Sequence, residues 1–199
     1  MKKLLLPLLS GSVCLILLSS CGAGNVGVKQ ERFHRTGIGA QEKAVILLER
    51  YVDNHQRKDS EEKERELVDC LRLAMMSGDR LIETLSADDF RATLLPGVKF
   101  ENAPRSPDAL LDLMKRDDVQ SRVSAMTVRY LIVVDIQTSA RRSTFRATVL
   151  DARNRVASGT ATSDFVGRVG SGLPILSRAE REACAGLGKA VYNFITSEE

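Results

Sequence analysis

Tyr130-Leu131-Ile132-Val133-Val134 constrains this chain more than any other stretch. It sits in the segment Arg129 to Ile136, and its length suits a strand. A run so nearly unbroken in apolar residues predicts a central strand buried on both faces. Two further strands follow. Thr144 to Leu150 alternates, with Phe145, Ala147 and Val149 on one side and Thr144, Arg146 and Thr148 on the other. Asp151 to Arg155 reads as a turn, and Val156 to Phe165 as a strand rich in small residues. Together they predict an antiparallel meander. The loop of its first hairpin, Gln137 to Arg142, is polar and basic.

Amphipathic helices flank these strands. Ser60 to Met76 opens on acids and carries Leu67, Cys70, Leu71, Ala74 and Met75 as one stripe, with Ser77-Gly78 as its stop. Ser86-Ala87-Asp88-Asp89 starts a short helix that Pro96-Gly97 ends. Ser106-Pro107-Asp108 starts another, with an N-cap serine and proline at the first helical position. Asp117 to Met126 reads as a further short helix. Ser177 and Glu180 make a capping box for the last one, which turns Cys184, Leu187, Val191 and Phe194 or Ile195 inward. Ala44, Leu47, Leu48, Tyr51 and Val52 fall at helical spacing, so a helix is predicted over Gln41 to Val52. Arg80 to Leu85 reads as a short strand. The predicted fold is a two-layer α/β (α+β) domain: a small mixed or antiparallel sheet, including the meander, packed by amphipathic helices.

The N-terminus addresses location. Met1-Lys2-Lys3 is basic, Leu4 to Leu18 is apolar, and Ser19-Ser20-Cys21 follows. That is the layout of a secretory signal peptide. Fifteen apolar residues fall short of the roughly 20 that span a bilayer as a helix. Leu18-Ser19-Ser20-Cys21 resembles the lipobox of bacterial lipoproteins. The resemblance implies cleavage before Cys21 and fatty acyl chains on the new N-terminal cysteine. Gly22 in place of aspartate implies the outer membrane over the inner, facing the periplasm, by enterobacteria-like sorting. The predicted division is a signal peptide over 1–20, a lipidated Cys21 with a flexible glycine-rich tether over 21–40, and one domain over 41–199, whose residues 41–58 are a helix and connector. Gly22, Gly24 and Gly27 form a formal G-x-G-x-x-G, but it follows a cleavage point and not a strand, so no dinucleotide site is expected.

Export bears on the cysteines. With Cys14 in the signal and Cys21 lipidated, Cys70 and Cys184 remain. An oxidising compartment and an even count point to one bridge. Two buried free thiols are the other reading. No further cysteine is available for a metal site, and no cofactor is expected beyond the covalent lipid.

Charge excludes little else. The whole chain carries +3, and loss of Lys2 and Lys3 brings it close to neutral, so nucleic acid is not an expected partner. His34 and His55 lie in polar segments with no nucleophile setting beside them. Asp88-Asp89 and Asp117-Asp118 are paired carboxylates at helix ends, where caps and solvated faces account for them. Gly167, Gly170 and Gly172 lack the lysine of a phosphate loop and read as a connector. Arg141, Arg142 and Arg146, at the basic hairpin, are the candidate contact for an acidic partner or an anionic surface.

Three segments carry a wider resemblance: Leu67-Val68-Asp69-Cys70-Leu71, the strand Val128 to Val134, and Ala147-Thr148-Val149-Leu150-Asp151 with Val156-Ala157-Ser158-Gly159. From Glu66 to Ile195 the element order is similar to the α/β module of envelope lipoproteins and assembly factors. These are the curli-secretion-channel lipoprotein, the lipoprotein activators of penicillin-binding proteins and the N-terminal domain of the Tol–Pal translocation protein. Short meander strands with Arg146 outward depart from the barrel-forming hairpins of the secretion channel. The resemblance implies a non-catalytic, membrane-anchored protein-interaction module with an envelope protein as partner. A carrier or sensor of a small apolar or lipid ligand is the alternative, and an envelope hydrolase a further one.

Overall fold

The computed structural model describes residues 25–53, 60–99, 102–138, 142–166 and 178–197. The predicted signal peptide, Cys21, His55, Arg141, the 167–177 glycine segment and Ser177 lie outside them. Six strands form one sheet: β1 (Asn25–Arg32), β2 (Lys43–Asp53), β3 (Glu83–Leu85), β4 (Val128–Thr138), β5 (Arg142–Asp151) and β6 (Val156–Val166). Five helices accompany it: α1 (Ser60–Met76), α2 (Ala87–Leu94), α3 (Pro107–Met114), α4 (Asp117–Ala125) and α5 (Arg178–Thr196). The spatial strand order is β1-β6-β5-β4-β2-β3. β4, β5 and β6 are the predicted antiparallel meander. β2 pairs parallel to both β4 and β3, so the sheet is mixed. A mixed sheet packed by helices is the α/β architecture that the sequence predicts, and the helices lie on both of its faces.

Two expectations are corrected. Residues 41–52 hold no helix; Lys43–Asp53 is strand β2. The apolar run Ala44-Val45-Ile46-Leu47 is buried throughout. Ala44 and Ile46 face one core while Val45 and Leu47 face the other, as a strand covered on both sides requires. The flexible tether is corrected as well. Asn25–Arg32 is strand β1, antiparallel to β6 from Asn25↔Val166 to Arg32↔Gly159. Beyond it, the Phe33 and His34 amides donate to Ser158 O at 2.8 and 3.2 Å. The Thr36 hydroxyl donates to Phe194 O, the Gly37 amide donates to Tyr130 Oη at 2.9 Å, and Ile38 is buried. The segment is held by backbone pairing and core contacts, which its glycines did not announce.

One face of the sheet packs on α1 and α5. Its core comprises Ile132, Val134, Ile136, Phe145, Ala147, Val149 and Ala161, against Leu67, Leu71, Met75, Leu187, Val191 and Phe194. Each Val, Leu, Ile, Met or Phe among them contributes roughly 1.5–3 kcal/mol on full burial. The two helices run in parallel and approach closely: a Cβ at Gly188 would overlap the Ala74 methyl. Cys70 and Cys184 are bridged between them, with Cα atoms 6.3 Å apart. The second core is smaller. There α2, α3 and α4 set Phe90, Leu94, Leu110, Met114, Val119 and Val123 against Leu131, Val133, Leu150 and the β2 side chains. Ser106 caps α3 as predicted, its Oγ accepting from the Ala109 amide, and Ser86 likewise caps α2, its Oγ accepting from the Asp89 amide.

Candidate interaction surfaces

The second helical layer is incomplete. The short helices cover the β2 and β4 half of their face and reach β5 and β6 at Leu150 and Ala157. Among the described residues, no helix lies over the remaining half. Strand alternation and register fix what it presents. One row across the strands reads Asp135, Arg146, Thr162 and Lys29. The row beside it reads Gln137, Thr144 and Asp164. Asp164 Oδ1 accepts from Thr144 Oγ1 at 2.6 Å and from Arg142 at 3.2 Å. Arg146 and Lys29 are exposed, and Arg142 keeps an exposed guanidinium despite its pairing. The structure thus places Arg142 and Arg146 four residues apart on β5, on one polar face. Lys29 joins them because β1 is part of the sheet. Sequence reasoning passed over it; the signal was the alternation Val26, Val28, set between glycines.

A second surface lies at the other sheet edge. An open groove with a volume of about 990 Å³ runs between α1 and α2 along β3. Ile46, Val68, Leu85 and Ala87 supply its apolar part. Arg65, Asp69, Arg72, Asp88, Asp89 and Arg91 make its lining strongly charged. This lining suits a polar partner better than an enclosed apolar ligand.

The remaining candidates do not converge. His34 is exposed beside β1. Asp88 and Asp89 sit in the first turn of α2, and Asp117 and Asp118 in that of α4. Arg116 donates from Nε and Nη2 to the Asp118 carboxylate at 3.1 and 3.0 Å. That hydrogen bonding, with the Arg116 and Arg122 charges, holds the Asp118 carboxyl below its ordinary range against desolvation. Among the described residues, no three His, Cys, Asp or Glu side chains cluster as metal ligands. A buried pair, Arg129 and Asp151, is a fold element. Asp151 also accepts from the Asn154 amide and side chain, which closes the β5–β6 turn.

No protein-family model and no curated protein matches this sequence. Solved structures do match in shape. PelC from Paraburkholderia phytofirmans, solved as a dodecamer, superposes with a TM-score of 0.49 at 11% identity, over 88% of this chain and all of that one. A single-residue variant of that dodecamer in another crystal form gives 0.50 at 11% identity, over 87% of this chain and all of that one. TolB from Acinetobacter baumannii gives 0.39 at 12% identity, over 86% of this chain and 31% of its own. At 11% identity the likeness to the variant dodecamer is one of fold alone.

Proposed function

We propose that this protein is a lipid-anchored, periplasm-facing protein-interaction module of the bacterial envelope, without catalytic activity of its own. The half-covered sheet carries this reading. A solvated face with Asp135, Arg146, Thr162 and Lys29 in one row offers both signs of charge and threonine hydroxyls on a rigid surface. Charge complementarity on such a surface sets the partner and its register. The signal-peptide layout and lipobox supply the location. The likeness in fold to a protein that crystallises as a dodecamer supports further copies of this chain among the partners.

The test is site-specific photocrosslinking in cells from position 146 of the full-length chain, with mass spectrometry of the adducts. A discrete protein adduct that disappears on Lys29→Glu is the expected result. Adducts to lipid alone, or none, would overturn the reading. Turnover of an envelope substrate by the purified chain would overturn its non-catalytic part.

A further inference from the structure

Strand β1 begins four residues after Cys21. Fully extended, four residues reach about 14 Å. An anchor at Cys21 therefore leaves the domain no room to stand away from its bilayer, and the end of the sheet that holds Asn25 is the end that meets it.

The fold identifies what lies there. Asn25 pairs with Val166, and Val166 pairs with Arg142. Helix α5 runs beside β1 in the same direction. A Cβ at Gly186 would touch Val26 and Val28, and lower down Gln30 Nε2 donates to Ala190 O at 2.8 Å. The first turn of α5 lies eight to five residues before Gly186. At about 1.5 Å per residue it projects past the start of β1. Arg178 and Arg181 thus join Arg142 at this corner, all three exposed. Val26, Val28 and Val166 lie among them at 39%, 46% and 57% exposure. Among the described residues, the acids here are Asp164, paired with Arg142 at 3.2 Å, Glu182, 3.7 Å from Arg178, and Glu180, buried in the first turn of α5. The first turn of α1, Ser60-Glu61-Glu62, is at the same end but over the β2 half of the sheet. The β1 side of this end therefore presents exposed valines among exposed arginines.

We propose that the β1–β6–α5 corner is a second membrane contact. Val26, Val28 and Val166 enter the headgroup layer of an anionic leaflet, and Arg142, Arg178 and Arg181 face its phosphates. The field of such a layer reaches about 10 Å, one Debye length at moderate salt, so charges at this corner would feel it. One anchored point and one docked corner fix the orientation of the domain, with the polar sheet face upright in the periplasm. The proposal rests on lipidation of Cys21.

The chain contains no tryptophan, so Val166→Trp creates a single reporter. The full-length lipidated variant is placed in vesicles of phosphatidylethanolamine and phosphatidylglycerol carrying lipids brominated near the glycerol. Arg153→Trp, in the turn at the opposite end of β5 and roughly 30 Å away, is the control. The expected result is quenching at position 166 and none at 153. Adding Arg142→Glu, Arg178→Glu and Arg181→Glu together should cut the quenching by more than half, with circular dichroism unchanged. A chain that carries the lipid mass on Cys21 and floats with vesicles, yet shows no quenching at 166, overturns the proposal and leaves the anchor standing. Quenching that survives the triple change overturns the role of the arginines. Absence of the lipid mass removes the anchor and this proposal with it.

Discussion

Arg129 on β4 and Asp151 at the end of β5 form an ion pair at 2.8 Å, with side chains 11% and 1% exposed. The guanidinium also lies 5.5 Å over the Tyr130 ring. Breaking such a pair from one side leaves a charge buried alone. Asp151→Ala should therefore destabilise the domain by about 3 kcal/mol. It also removes the acceptor that closes the β5–β6 turn. Urea unfolding followed by circular dichroism measures the loss. Replacing both residues with apolar ones of similar volume should cost less than Asp151→Ala alone.

Gly78 ends α1 directly against Tyr192 of α5. A Cβ at position 78 would overlap the Tyr192 ring, and that ring is held because Tyr192 Oη accepts the Arg80 amide at 2.7 Å. Gly78→Ala should cost about 1–3 kcal/mol, the usual penalty of overpacking. Combining it with Tyr192→Leu should cost less than the two single changes added together. Thermal melts of the four proteins close that cycle.

The Cys70–Cys184 bridge spans 114 residues of sequence. Closing so long a loop restricts the unfolded chain. Cys70→Ser with Cys184→Ser should lower stability by about 2–5 kcal/mol. Dithiothreitol should produce the same loss in the unmodified protein and none in the double variant, read as a shift of the urea midpoint.

Asp118 gives a pH signature. Its folded carboxyl titrates below the ordinary value of 3.8, first through the Arg116 hydrogen bonds. A depressed carboxyl favours the folded state at pH values above its unfolded pKa. That contribution fades as pH falls through the folded pKa. Arg116→Gln should move the Asp118 midpoint upward in a carboxyl-detected NMR titration and leave the other carboxyls in place.

Much of the fold is legible in residues 60–197. The meander, α1, the two serine caps and the facing cysteines each carry a local signal that agrees with the tertiary structure. The failures cluster at the N-terminal strands. Ala44 to Leu48 is apolar at every position, so helical and strand periods fit it equally. Burial on both faces, set by β4 and two helical layers, decides for the strand. β1 holds Gly27 and five charged or amide side chains in eight residues. Its order comes from partners more than a hundred residues away in β6 and α5, and no local pattern encodes them. The candidate surface was partly legible for the same reason. Arg142 and Arg146 share a strand, whereas Lys29 reaches their face through that long-range pairing.

The register between β1 and β6 has a mechanical consequence. β1 enters the sheet at the end that holds Asn25, its first residue. Tension between a membrane-held N-terminus and a partner on the sheet would load the eight β1–β6 residue pairs together, in shear. Peeling them open in turn would need a pull across the strand. The join that sequence composition presents as slack is thus the member of this fold best placed to carry force.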